Sequence, residues 1–258
     1  DGSRNYISLT LLIKLLGIRI GLWNGTLSSN KEKELLEGIV NDCRTGFKTC
    51  ISNEPLMKEL MTKAREQEKF YFLGAGPSLP LAQYAAAKYM EQAAVDGIWQ
   101  QLEEYGHEQY WVHNRRAKND FIFSICPAGK SVQRCVENLA EHKFLGLNSV
   151  LVTTKPVDAR FQDQAKYTIA TDDFIAEKDF WMAAGNIFAR LANFYTENVG
   201  LSQKVFSSED QFVEHYKTIH YSRFSPEVSQ FDIPIPEDKT IMERGAYGLT
   251  FNKPDAKK

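Results

Sequence analysis

"FLGAGPSLPLAQYAAAKYME", residues 72–91, is the stretch that decides the fold of this chain. An apolar run ends in two closely spaced glycines, Gly74 and Gly76, and an alanine-rich segment follows them. Such a run is typical of a buried strand, the glycines of a tight turn, and the alanines of a helix. The stretch therefore predicts a strand, a turn and a helix, with the turn at the place where open α/β sheets bind ligands.

The same alternation continues downstream of this stretch. Strands are predicted at 69–76, 119–129, 148–155 and 165–171, and helices at 80–102, 131–146 and 173–200. Strands that alternate with helices form mostly parallel sheets with helices on both faces. Residues 67–202 are therefore predicted to form a three-layer αβα module with a mostly parallel sheet.

The two ends of the chain do not follow this alternation. Residues 1–66 predict three helices, the second capped by Ser29 or Asn30 and the third with Pro55 in its first turn. Residues 203–258 contain a proline-rich stretch and no clear periodicity, so we expect an irregular C-terminal extension there.

Composition narrows the classes of partner. The formal charge of the 258 residues is −2, which gives no electrostatic reason to expect nucleic acid or an anionic membrane as a partner. Lys14 and Arg19 interrupt the apolar run near the start, so we do not expect that helix to span a membrane. The four cysteines show no CxxC spacing, which favours reduced thiols in a cytoplasmic protein. No residues have metal-ligand spacing, and we expect neither metal nor cofactor.

The glycine-rich loop does not match the nucleotide-binding motifs. It completes neither GxGxxG nor a P-loop, because the later glycine and a Gly-Lys-Ser/Thr run are both missing. Two interpretations stay open: a tight turn in which Ser78 caps the helix, or a loop that faces a sugar or a phosphate.

Lys88 and Glu91 are three residues apart on the predicted helix, so they lie on one face. Small alanine neighbours allow close packing, so both side chains are candidates for partial burial, which suits a general base working near neutrality. The alternative is an ordinary surface ion pair.

His107 follows Glu91 by sixteen residues. On one straight helix the two residues would stand about 24 Å apart on nearly opposite faces. Either the chain bends back near Gly97, or His107 serves the site of a second subunit; a purely structural histidine is the third interpretation. Glu103, Glu104 and Glu108 surround it in sequence and favour an imidazole that can donate a proton.

The combined pattern resembles a known family. "LGAGPSLPLAQYAAAKYME", followed by "EEYGH" with the same spacing from Glu91 to His107, is similar to the second sugar isomerase (SIS) module of glucosamine-6-phosphate synthases and fructosamine-phosphate deglycases. "SRNYISLTLLIKLLGIRIG", residues 3–21, resembles the helix that closes the first module of such proteins. The resemblance implies that the sequence starts at that helix and that a Ser/Thr-rich phosphate loop belongs to a module before it.

The resemblance also implies chemistry: aldose–ketose isomerisation, or deglycation or deamination, of a phosphorylated sugar or amino sugar. Glu91 would carry a proton between C1 and C2, His107 would assist ring opening from the other subunit of a homodimer, and Lys88 would hold the reacting end. The same resemblance assigns substrate binding to Gly74, Gly76, Ser78, Glu104 and Ser3. The alternative is a SIS protein that binds a sugar phosphate without turnover, as a regulator.

Overall fold

The computed structural model describes residues 2–116 and 119–199, and the side chains of residues 6–115 and 119–199. Within this part, Ser3–Val199 form one compact unit. The predicted C-terminal extension, 203–258, and the last residues of the predicted α/β module, 200–202, lie outside the described residues.

A five-stranded sheet is the centre of the unit, and every pair of neighbouring strands in it is parallel. The strand order is β2-β1-β3-β4-β5, which places β2 and β5 at the edges. The strands are β1 Lys69–Gly74, β2 Asp96–Gln101, β3 Phe121–Ile125, β4 Asn148–Thr153 and β5 Tyr167–Ala170. The predicted mostly parallel sheet is confirmed.

Helices cover both faces of the sheet. They are α1 Gly2–Trp23, α2 Ser29–Ser52, α3 Glu54–Lys63, α4 Leu79–Ala93, α5 Leu102–His107, α6 Gln109–Arg116, α7 Val132–Leu145 and α8 Trp181–Val199. One layer, α1 to α4 with α8, shares a core with one face of the sheet, and the other layer, α5 to α7, shares a core with the opposite face. The three-layer αβα architecture is confirmed.

The side-chain alternation of the strands produces these two cores. Phe70 and Phe72 of β1 point to the core under α4 and α8, whereas Tyr71 and Leu73 point to the core under α5 and α7. Successive residues of a strand face opposite sides, so a central strand that is covered twice is apolar throughout. This is why the continuous apolar run at the start of the deciding stretch is a buried strand.

The predicted helix over residues 80–102 is wrong in its second half. Helix α4 ends at Ala93, Ala94 adopts a left-handed conformation (φ 52°), and β2 begins at Asp96. Gly97 explains the strand: a Cβ there would lie 2.2 Å from the carbonyl oxygen of Ala86, so only glycine lets β2 pass this close to α4.

The helix termini mostly agree with the sequence. Pro55 lies in the first turn of α3, and Gly146 ends α7 with a left-handed φ of 73°. The capping prediction for α2 is wrong, because the side chain of Ser28, and not of Ser29 or Asn30, accepts the hydrogen bond from the backbone N–H of Lys31.

Helix α1 presents an apolar face to solvent. Leu9, Ile13, Leu16 and Trp23 are 60, 62, 58 and 90% exposed, respectively. By length and composition alone Tyr6–Trp23 would suffice to cross a membrane, with a mean hydropathy of 1.5, but core helices of soluble proteins and signal sequences meet the same criterion. The opposite face of α1 packs on the core, and the assignment of residues 1–66 to the end of a preceding module stays a prediction.

Candidate functional site

Lys88 and Glu91 form an ion pair on the last two turns of α4, through Nζ of Lys88 and Oε2 of Glu91. The two side chains differ in exposure: that of Lys88 is 5% exposed and that of Glu91 is 46% exposed. The prediction of partial burial therefore holds for the lysine, whereas the carboxylate is half open to solvent. Their arrangement is a buried ammonium that holds an accessible carboxylate by a charge-assisted hydrogen bond.

Two tyrosines line the buried side of this pair. Nζ of Lys88 lies 5.6 Å from the ring centroid of Tyr84, one helical turn earlier on α4. Tyr6 of α1 stacks on Tyr84, with ring centroids 4.1 Å apart and planes inclined by 20°. Burial raises the pKa of Tyr6, and the ring face of Tyr84 adds a favourable cation–π contact to the ammonium.

Neither tyrosine was singled out from the sequence. Tyr84 precedes Lys88 by four residues and therefore lies on the same face of the helix, so helical spacing alone could have found it. Tyr6 could not be found this way, because its contact with Tyr84 joins two helices that are far apart along the chain.

The loop with Gly74, Gly76 and Ser78 turns back tightly on itself. A Cβ on Gly74 would lie 2.3 Å from the carbonyl oxygen of Ser78, and Gly76 has a φ of +52°, so both positions need glycine. Ser78 stands directly before α4, but its hydroxyl caps nothing, so the predicted capping role is wrong. That hydroxyl is buried and has no hydrogen-bond partner in the described part of the chain. Substrate contact by this loop stays a prediction.

His107 is the last residue of α5. Its side chain is 70% exposed, and its Nε2 lies 3.5 Å from Oε1 of Glu103. The start of this helix is fixed by Gln101, whose side-chain oxygen accepts hydrogen bonds from the backbone N–H groups of Glu103 and Glu104. The side chain of Glu104 itself lies on the exposed surface of α5.

The structure does not bring Glu91 and His107 together within one chain. Helix α4 packs on one face of the sheet and α5 on the opposite face, so the sheet separates the two residues. Each has its own partner in the described residues, Lys88 for the glutamate and Glu103 for the histidine. The chain does bend between them, since β2 replaces the predicted helix, but this bend carries His107 away from the face that holds Glu91.

The remaining predicted site residue, Ser3, lies in α1, and its side chain is outside the described residues. Within residues 2–116 and 119–199, no group of three or more His, Cys, Asp or Glu side chains is placed to hold a metal ion. All four cysteines are free thiols, and Cys126 and Cys135 are buried.

Comparison with known proteins supports a definite fold class. No family model matches the chain, and no curated protein matches it. Among solved structures, the C-terminal domain of glucosamine-fructose-6-phosphate aminotransferase from Francisella tularensis superposes with a TM-score of 0.59 at 16% identity, over 71% of this chain and 50% of that one. This chain thus spans half the length of that domain.

Two more solved structures share the architecture. An Escherichia coli CFT073 protein in complex with arabinose 5-phosphate has a TM-score of 0.52 at 14% identity, over 73% of this chain and 100% of that one. A Clostridium difficile 630 protein described as a phosphosugar isomerase has a TM-score of 0.52 at 15% identity, over 78% of this chain and 54% of that one. The class is therefore an open α/β protein with a parallel five-stranded sheet. More particularly, the described part of this chain has the fold of a SIS domain.

Proposed function

We propose that this protein binds a phosphorylated sugar or amino sugar and catalyses proton transfer between its C1 and C2 carbons, as an aldose–ketose isomerase or a related deglycase or deaminase. The observation that carries the proposal is the pair on α4: a half-exposed Glu91 carboxylate held by a buried Lys88 ammonium, within a SIS fold.

The geometry of this pair suits a general base. One oxygen of Glu91 is engaged by Lys88, so the carboxylate has a fixed direction, and its exposed part is free to meet a substrate carbon. A proton next to a carbonyl can be taken from C2 of the open-chain aldose and returned to C1, through an enediolate. A positioned side chain contributes about 10²–10⁴-fold to such a step.

His107 completes the site from a second subunit in this proposal. Within one chain the sheet separates it from Glu91, and its exposed imidazole is available to a neighbouring molecule. A two-fold dimer would place the histidine of each subunit against the glutamate of the other, which forms two equal sites. The imidazole would then deliver a proton to the ring oxygen when the sugar ring opens.

The comparisons support the substrate class. The E. coli neighbour was solved with arabinose 5-phosphate, and the F. tularensis domain belongs to an aminotransferase named for a 6-phosphate sugar. The free cysteines accord with a cytoplasmic location, which is part of the proposal.

A second candidate is a SIS protein that binds a sugar phosphate without turnover and acts as a regulator. The separation of Glu91 from His107 within the chain favours it, because a protein that functions as a single chain would lack the assembled pair. A fold does not determine a function, and the two candidates share their ligand class.

Deuterium exchange separates these candidates. The full-length protein is incubated in D₂O with fructose 6-phosphate, glucosamine 6-phosphate and arabinose 5-phosphate, and deuterium at C1 and C2 is followed by NMR. We expect exchange on at least one of the three sugars. We also expect Glu91→Gln to lower its rate by about a hundredfold or more, because the amide cannot accept the proton.

Glu59→Gln is the matched control, since Glu59 forms an exposed ion pair with Lys63 on α3, far from α4 in sequence. It should leave the exchange rate unchanged. An unchanged rate in Glu91→Gln would contradict the role of Glu91. A thermal shift with one of the sugars, together with no exchange in the wild type, would support the regulator.

A further inference from the structure

The segment that carries His107 is held to the protein by few side chains. Helix α5 buries Leu102 and Tyr105, at 1 and 0% exposure. Among the described side chains of α6, only His113 is buried, at 2% exposure, whereas Trp111 is 64% exposed. The position of His107, at the bend between α5 and α6, therefore depends on a small number of contacts.

The central contact is a hydrogen bond between the two short helices. The hydroxyl of Tyr105 on α5 lies 2.8 Å from Nδ1 of His113 on α6, and both groups are buried. No other hydrogen bond between side chains of α5 and α6 is present in the described residues. This bond therefore ties the α5–α6 hairpin together across the bend that contains His107.

The same two side chains attach the hairpin to the rest of the fold. The ring of His113 meets Tyr71 of β1 edge to face, with centroids 4.3 Å apart, and its Nε2 lies 3.4 Å from Oδ2 of Asp120. The ring of Tyr105 meets His142 of α7 edge to face at 4.9 Å. The pair is thus fixed from the sheet and from α7.

The chemistry of the bond agrees with a fixed geometry. Burial raises the pKa of Tyr105, so the phenol keeps its proton and can donate it. With the imidazole proton on Nε2, toward Asp120, Nδ1 is the acceptor. Loss of either partner leaves the other without a hydrogen bond in a dry environment, so the hairpin has no equally good alternative arrangement.

We propose that Tyr105 and His113 are positioning residues that fix the α5–α6 hairpin and thereby set where His107 stands. The proposal rests on the function proposed above for His107. Neither residue touches the substrate; each acts through the geometry of the hairpin. An ordinary core contact would stabilise the whole fold, whereas a positioning contact acts on this segment alone.

Tyr105→Phe tests the proposal, because it removes the hydroxyl and keeps the ring. Hydrogen–deuterium exchange of the backbone amides is measured on the full-length protein. We expect exchange of residues 102–116 to become about 5- to 10-fold faster, with 69–74 and 121–125 unchanged. Tyr110→Phe is the matched control on the same hairpin, since the described residues show no hydrogen bond of its hydroxyl; it should exchange like the wild type.

Catalysis provides the second readout, by the deuterium exchange of the sugar. Tyr105→Phe should lower kcat about tenfold with KM within about twofold, because binding groups stay in place and His107 does not. His113→Asn keeps an acceptor near the position of Nδ1 and should restore much of the rate that His113→Leu loses.

Three outcomes overturn the positioning role. They are unchanged amide exchange of 102–116 in Tyr105→Phe, equally faster exchange in every strand, and a kcat that falls only in proportion to the folded fraction. A wild-type sugar exchange rate in His107→Gln would instead overturn the function proposed for His107, and the amide-exchange result would still decide whether the hairpin is fixed by this bond.

Discussion

At the scale of single residues, the site residue that the structure defines best is Lys88. A lysine at 4% exposure loses most of its hydration, and only a charged partner and a polarisable neighbour make such burial tolerable. Glu91 and the ring of Tyr84 supply both. The sequence predicted the pair from its spacing and its small neighbours, but not which of the two would be buried, because that depends on the packing of α1 against α4.

His142 is a second buried titratable residue, on α7. It has 0% exposure, and neither ring nitrogen has a hydrogen-bond partner in the described residues. Burial, with a smaller contribution from His113, lowers the pKa of His142 to about 3. The imidazole is therefore neutral in the folded protein, and the unfolded chain binds the extra proton once the pH falls below about 6.5.

This difference predicts acid sensitivity. Stability should be complete above about pH 6.5 and decrease as the pH falls toward 3, by about 3 kcal/mol at pH 4.5 from this residue alone. His142→Phe should remove that part of the decrease. Urea unfolding at pH 7.0, 5.5 and 4.5 measures it.

His107→Gln is the control for this measurement, because it removes an imidazole that is 70% exposed. Its free energy of unfolding should follow the wild-type pH dependence. Equal pH dependence of the wild type and His142→Phe would contradict the assignment of the acid sensitivity to His142.

At the scale of elements, the sequence predicted four of the five strands and missed β2. The four are short apolar runs, and their burial on two faces makes them easy to find. Strand β2 lies at the sheet edge, and most of its residues are partly exposed, so its sequence lacks that run. The preceding alanine-rich helix extended the helical pattern over it, since local preference gives no sign of the tertiary pairing with β1.

Gly97 allows a direct test of this element. In Gly97→Ala the new Cβ would meet the backbone of Ala86 at 2.2 Å, so β2 or α4 must move. We expect a loss of about 3 kcal/mol or more in the free energy of unfolding, measured in urea.

Gly38→Ala is the matched control, because a Cβ at this helical position of α2 has nothing within 4 Å. It should stabilise the protein by about 0.5–1 kcal/mol through helix propensity. If Gly97→Ala is as stable as the wild type, the close packing of β2 on α4 is wrong.

At the scale of the whole molecule, the sheet organises the candidate site by separating it. The alternation of strands and helices predicted the αβα layers, and the spacing of Glu91 and His107 predicted that one rigid helix could not bring them together. The face of the sheet on which each helix would lie could not be read from the sequence, because it depends on the position of β2 and on the direction of each crossover.

The central claim is that each site joins Glu91 of one subunit to His107 of the other, and mixed dimers test it most directly. Glu91→Gln and His107→Ala variants of the full-length protein are co-expressed, and sugar deuterium exchange is compared with that of each variant alone. In a mixed dimer one of the two shared sites has both native residues, so random pairing should restore about a quarter of the wild-type rate. A mixture no more active than either variant alone would contradict the shared site.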